Sequence, residues 1–220
     1  MTTFAHAPSA APCIAIVDDD QALRDSLVWL LESVGMTTYA YACGESFLAA
    51  ASDDVDVVLL DVRMPGMSGL QVQQLLADQK AMLPLILMTG HGDVPMAVAA
   101  LKNAAFDFIE KPFNHQQLID TVQQALALSH HQRDAAQQYA LLQQRYQALR
   151  PKEQRIVLHV AEGMTSREIA EHMQISVKTV EVYRLRAMKA MAAANLAQLV
   201  RQAVALRLVP TLPPINTLLP

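Results

Sequence analysis

The sequence predicts a doubly wound α/β domain built on a five-stranded parallel sheet, followed by a small all-α domain of four helices. Three observations predict it. The first half alternates short apolar runs with segments of helical period, the second half carries helical period alone, and the charge changes sign between them. Residues 1–147 hold 7 Lys/Arg against 16 Asp/Glu, and residues 148–220 hold 10 against 5. The net charges are therefore −9 and +5, within −4 for the chain. An acidic half suits cations, and a basic half suits a polyanion such as nucleic acid.

The apolar runs come in order at residues 14–17, 37–41, 55–60, 85–88 and 106–109. Runs of this length, bounded by loops, suit strands buried on both faces of a parallel sheet. Between them Leu23, Leu27, Leu30, Leu31 and Val34 recur at helical spacing, as do Leu118, Ile119, Val122 and Leu126. After Leu128 comes a Gln-rich, proline-free stretch in which Tyr139, Leu142, Tyr146 and Leu149 are spaced 3, 4 and 3. That spacing fits a weak heptad seam for a second chain, and equally a solvated helical linker that pairs with nothing. Pro151 suits the first turn of a new helix, and helical patterns continue to Leu206. The divisions expected are a disordered segment 1–11, an α/β domain 12–128, a helical linker 129–147, a helical domain 148–206 and an irregular tail 207–220.

A hydrophobic content of 52% and a mean hydropathy of +0.18 exclude a disordered chain. No apolar run approaches the roughly 18 residues of a membrane span, and the N-terminus lacks the basic and apolar regions of a secretory signal. Cys13 and Cys43 have no metal-type spacing. A cytoplasmic protein without a membrane partner is expected.

Polar groups follow four of the five apolar runs: Asp18, Asp19 and Asp20 the first, Asp61 the third, Thr89 the fourth and Lys111 the fifth. Sites in open parallel sheets form outside the carboxyl ends of the strands, so these groups can converge. Gathered carboxylates repel one another unless a cation joins them, and Mg²⁺ prefers oxygen ligands. One carboxylate can then attack a phosphoryl group whose oxygens are held by metal, ammonium and hydroxyl. Asp20 also reads as a helix N-terminal residue, where a carboxylate favours the dipole. An aspartate-nucleophile phosphatase of the haloacid dehalogenase type would place a second aspartate two residues after Asp61. Arg63 stands there instead.

In the basic half, Gly163 and Met164 read as a turn, and Thr165 precedes Glu168 by three as in a capping box. Ser176 precedes a basic segment with Lys178, Arg184, Arg186 and Lys189. Helix, turn and capped basic helix make a helix-turn-helix. On these cues alone a small helical dimerisation module fits as well.

The stretches IAIVDDD, LLDVRMPGMSG, LMTGHGDVPMAV and FDFIEKPF resemble the signatures of bacterial receiver domains, particularly of the FixJ type, over residues 12–128. The resemblance implies a flavodoxin-like receiver in a two-component response regulator. Asp61 would accept phosphate from a sensor histidine kinase. Asp18 and Asp19 would hold Mg²⁺ with Asp61 and the backbone carbonyl of Arg63. Thr89 and Lys111 would contact the phosphoryl oxygens, the Lys111–Pro112 bond would be cis, and Thr89 with Phe108 would form a switch. Gly90, Gly92 and the segment to Pro95 would let the loop follow, and Ala104 stands where relatives usually carry glycine.

Residues 148–206 resemble the DNA-binding domain of the LuxR, NarL and FixJ regulators. By that resemblance Lys178, Thr179, Glu181, Val182 and Arg186 face double-stranded promoter DNA, with Arg184 near the backbone. Ile169, Ala170, Ile175, Val180 and Leu199 build the core, and Arg201 and Arg207 are solvated. Tyr183 sits where relatives commonly have histidine, and Ala190 where many have lysine. The function implied is a phosphorylation-controlled transcriptional regulator that forms a homodimer on phosphorylation, pairing through the helix after the fourth strand, the fifth strand and the helix after it. RNA polymerase is an open further partner. The chemistry would be aspartyl self-phosphorylation, not enzymatic turnover.

Overall fold

The computed structural model describes residues 11–50, 54–79, 83–90 and 105–209. It divides into two compact units, residues 1–133 and 134–220.

In the first unit, β1 (Cys13–Val17), β2 (Thr37–Tyr41), β3 (Val57–Asp61), β4 (Leu85–Thr89) and β5 (Asp107–Glu110) form a parallel sheet in the order β2-β1-β3-β4-β5. β1, β3 and β4 are buried at every position. Their side chains alternate between two cores, as the two-residue period of a strand requires. Ala15, Val58 and Leu87 face α2 (Gly44–Ala50) and α3 (Gly69–Asp78), meeting Phe47 and Val72. Ile16, Leu59 and Met88 face α1 (Gln21–Ser33) and the first turns of α4 (His115–Gln147), meeting Leu27, Leu118 and Val122. Each fully buried Leu or Ile contributes about 2 kcal/mol of hydrophobic stabilisation. Helices thus cover both faces, as the doubly wound prediction requires. β2 is an edge strand and is largely exposed.

Asp20 caps α1, its carboxylate accepting the N–H groups of Ala22 and Leu23 at 2.9 and 3.2 Å, so its capping reading holds. The strand bounds differ by a residue or two from the apolar runs. β3 and β4 each end on a polar residue that completes the ladder, Asp61 and Thr89. Residue 92, the segment to Pro95 and Ala104 lie outside the described residues.

The second unit packs the end of α4 with α5 (Pro151–Ala161), α6 (Ser166–Met173), α7 (Val177–Ala190) and α8 (Leu196–Ala205). Ile169, Ala170, Val180 and Leu199 are buried in its core, with Ile175 packed against them. The heptad-like seam behaves differently from a dimer stripe. Leu149 is buried in this core, Leu142 and Tyr146 pack against it, and only Tyr139 of the four is exposed. Three of those side chains are therefore used within the chain itself. Pro151 opens α5, and Thr165 with Glu168 forms the capping box of α6. Gly163 takes φ +88° in the turn before α6, and Gln174 closes α6 at φ 54° without being glycine. Arg201 and Arg207 are exposed.

Candidate functional site

β1 and β3 are central neighbours, so the residues ending them lie side by side. Asp18 follows β1 and is 1% exposed; Asp61 ends β3 and is 6% exposed. Two buried carboxylates this close need a cation, and Lys111 supplies it from beyond β5. Its Nζ donates to Asp18 Oδ2 at 2.7 Å and to Asp61 Oδ1. The second oxygen of each carboxylate is also engaged. Asp18 Oδ1 accepts the N–H of Asp20 at 2.9 Å, and Asp61 Oδ2 accepts the N–H of Arg63 at 2.8 Å.

Lys111 is held there by its backbone. Its N–H donates to the carbonyl of Thr89 at 2.7 Å, which ties the end of β5 to the end of β4, and the Lys111–Pro112 bond is cis. Thr89 is buried beside them, its hydroxyl directed at the Gly90 carbonyl at 3.4 Å. Asp19 is exposed next to Asp18, and Gly90 is exposed. Phe108 is half-buried and packs with Ala105 against the α2–α3 core.

Burial pushes the Asp61 carboxyl above its ordinary value; Lys111 pulls it back without cancelling the rise, while Asp18 adds to it. For Lys111 burial acts downward, and its bonds to Asp18 and Asp61 overcome it, so its ammonium is held above the usual lysine range.

Among the described residues no three or more His, Cys, Asp or Glu side chains are gathered to hold a metal. The donors at this sheet end are nonetheless all oxygen, which suits a hard cation. The Lys111 ammonium stands where two buried carboxylates require positive charge.

Two supports were not legible in the sequence. Arg24 Nη1 donates to the Asp18 carbonyl at 2.7 Å, and α3 begins at Gly69 with its backbone against that of Asp61. A Cβ on Gly69 would lie 2.2 Å from the Asp61 carbonyl oxygen. Only the final glycine of MPGMSG signals that approach.

In the second unit, Ser176 caps α7, accepting the N–H of Thr179 at 3.1 Å. Lys178, Glu181, Val182 and Arg186 are exposed on α7, and Thr179 is partly so. Arg184 is partly buried and donates to Ser166 Oγ at 3.0 Å, which binds α7 to the start of α6. Tyr183 packs against the core. Sequence reading passed over Leu185, which is 70% exposed on α7. Its spacing of three from Val182 and four from Glu181 was the available signal.

The comparisons agree with this architecture. Residues 14–123 match the family described as response regulator receiver domain, and residues 147–203 match the bacterial regulatory proteins of the luxR family. The tetrathionate response regulatory protein TtrR of Salmonella typhimurium is 42% identical over 86% of this chain and 90% of its own length. The transcriptional regulatory protein FixJ of Azorhizobium caulinodans is 39% identical over 90% of this chain and 93% of its own. Among solved structures, the response regulator StyR superposes with a TM-score of 0.79 at 34% identity, covering 89% of this chain and 99% of its own.

The chain belongs to the two-component response regulators that join a receiver domain to a luxR-type DNA-binding domain. It is a DNA-binding regulator of transcription, of a family of regulators and not of catalysts. A receiver implies a histidine kinase as partner, and a luxR-type domain implies DNA. No helix of the described residues is long and apolar enough to cross a membrane.

Proposed function

We propose that Asp61 is the phosphoacceptor of a switch that controls promoter binding. The observation that carries this reading is the Lys111 ammonium shared by two buried carboxylates at the carboxyl end of the sheet. An ammonium so placed offsets part of the pair's negative charge at rest and lies ready for the oxygens of an incoming phosphoryl group.

In this reading an Asp61 oxygen attacks phosphorus, the bond from phosphorus to the kinase histidine nitrogen breaks, and the proton needed by the departing imidazole comes from solvent. Asp18, Asp19, Asp61 and the Arg63 carbonyl would hold Mg²⁺, and Lys111 would move from Asp18 to the phosphoryl oxygens. When bound, Mg²⁺ supplies positive charge to the phosphoryl oxygens as they transfer. Thr89 donates its hydroxyl to the new phosphate, which adds nearly two negative charges. The turn of Thr89 opens room for Phe108 and alters the surface around β5, favouring a homodimer.

Two paired DNA-binding units read two half-sites about one helical turn apart, and pairing raises affinity through effective concentration. Lys178, Thr179, Glu181, Val182 and Arg186 face the DNA, with Arg184 near its backbone. The receiver occupies residues 12–128, the linker 129–147 and the DNA-binding domain 148–206, and RNA polymerase is a further partner at the promoter. A cytoplasmic setting fits these partners.

The test adds Mg²⁺ and acetyl phosphate to wild type and Asp61→Asn, reading intact mass, gel filtration and DNA binding at two salt concentrations. A phosphoryl mass gain confined to wild type, with a dimer and tighter binding, is expected. Absence of any gain with unchanged specific DNA binding would make the receiver a silent module.

A further inference from the structure

Two depressions on the second unit share a wall. One lies along the start of α7, lined by Ser176, Lys178, Thr179, Val182, Tyr183 and Arg186. The other is lined by Arg150, Pro151, Lys152 and Glu153 at the start of α5, and again by Tyr183 and Arg186. The same tyrosine and arginine border both, so the two adjoin as a divided trough from the start of α7 to the start of α5.

The charge of the α5 end is lopsided. Arg150, Lys152 and Arg186 are exposed cations. The one acid, Glu153, is buried, and it accepts the N–H of Arg150 at 3.0 Å, so its carboxylate serves the helix start. Pro151 and Tyr183 add apolar surface to the lining, and the tyrosine carries a hydroxyl donor. Flexible cations, a hydroxyl donor and no exposed acid fit a sugar-phosphate backbone and carry no base-reading pattern.

We infer that this trough seats the DNA backbone beside the groove that α7 enters, with Arg150 and Lys152 as phosphate contacts outside the helix-turn-helix. Tyr183 lines both contact regions. The inference rests on the reading that α7 faces DNA and extends it to a second helix.

The experiment uses the full chain and a mixed-sequence duplex of about 30 base pairs, roughly three turns. Affinity is measured from about 50 to 200 mM salt for wild type, Arg150→Gln/Lys152→Gln, Lys178→Gln and Arg155→Gln. Arg155 is an exposed cation on the same helix that does not line the trough. The trough double variant should bind about tenfold more weakly, and its salt slope should fall by about 0.9 per cation removed. Arg155→Gln should keep the wild-type slope, and thermal melts should be superimposable. Tyr183→Phe should weaken binding without changing the slope, since it removes a donor and no charge.

A wild-type slope in the double variant, with Lys178→Gln still weakened, would overturn the trough and leave the α7 reading standing. Tighter binding by the double variant would overturn it too, since the trough would then hold something that competes with DNA. Failure of wild type to bind any duplex would sink both readings.

Discussion

At Asp61 burial and the Lys111 ammonium act in opposite senses, and burial prevails. A carboxyl whose folded value lies above its unfolded one costs stability when ionised, and the cost is relieved as pH falls through the folded value. Asp61→Asn keeps the side chain's shape and one of the two acceptors that serve Lys111 and Arg63, exchanges the other for an amide donor, and removes the buried charge. Urea unfolding at neutral pH should find the first unit at least as stable as wild type, with the difference shrinking toward acid pH. Labelling by acetyl phosphate should fall in the same direction, because protonated Asp61 is no nucleophile.

Lys111 behaves oppositely. Its raised value gives stability that is present below the ordinary lysine range and lost as pH rises through the folded value. Lys111→Met leaves two buried carboxylates facing each other. A loss of about 3 kcal/mol is expected from denaturant titration, as when one partner of a buried pair is removed. Combining it with Asp18→Asn should recover much of that loss, and an additive double variant would contradict the shared-ammonium account.

At the scale of elements, helix ends and close approaches decide where functional groups sit. Gly69 lets α3 start against the Asp61 backbone, so Gly69→Ala should slow phosphoryl labelling as well as lower stability, since the clash is with backbone. The amino end of the central strands carries a second ion pair. Asp56, 6% exposed, accepts the Cys13 N–H at 2.8 Å and a guanidinium hydrogen of Arg133 on α4, while Arg133 Nη2 donates to the Val55 carbonyl at 2.7 Å. Arg133→Met should cost about 2 kcal/mol, because Asp56 is buried but the arginine is partly solvated. Hydrogen exchange should then rise in α4 around residue 133. Unchanged protection there would show that α4 holds its place by apolar packing alone.

The whole molecule is acidic in one unit and basic in the other, and each has its own closed core. Such a chain need not unfold as a single two-state system. Hydrogen exchange with mass detection in increasing urea should resolve two transitions. Lys111→Met should move only the first. Thr165→Ala, which removes the hydroxyl that accepts the Glu168 N–H at 3.3 Å, should move only the second, by about 1 kcal/mol. A single shared transition for both variants would mean that the units unfold together.

Strand and helix periods alone made the sheet and its covering helices legible, because burial imposes those patterns on neighbouring residues, whereas family resemblance was needed to tell the helix-turn-helix from a helical dimerisation module. The aspartates, Thr89 and Lys111 were legible too, since each stands at the end of an apolar run and a parallel sheet gathers such ends. Local pattern could not show that Lys111 serves two carboxylates from 93 and 50 residues away, or that Arg133 reaches back to Asp56. Nor could it show that Leu142, Tyr146 and Leu149 belong to their own chain's core. Heptad spacing states that a face is apolar, and only packing decides which surface covers it. The trough across α5 and α7 is of the same kind: its residues lie about thirty positions apart, and only the folded helices bring their charges onto one path.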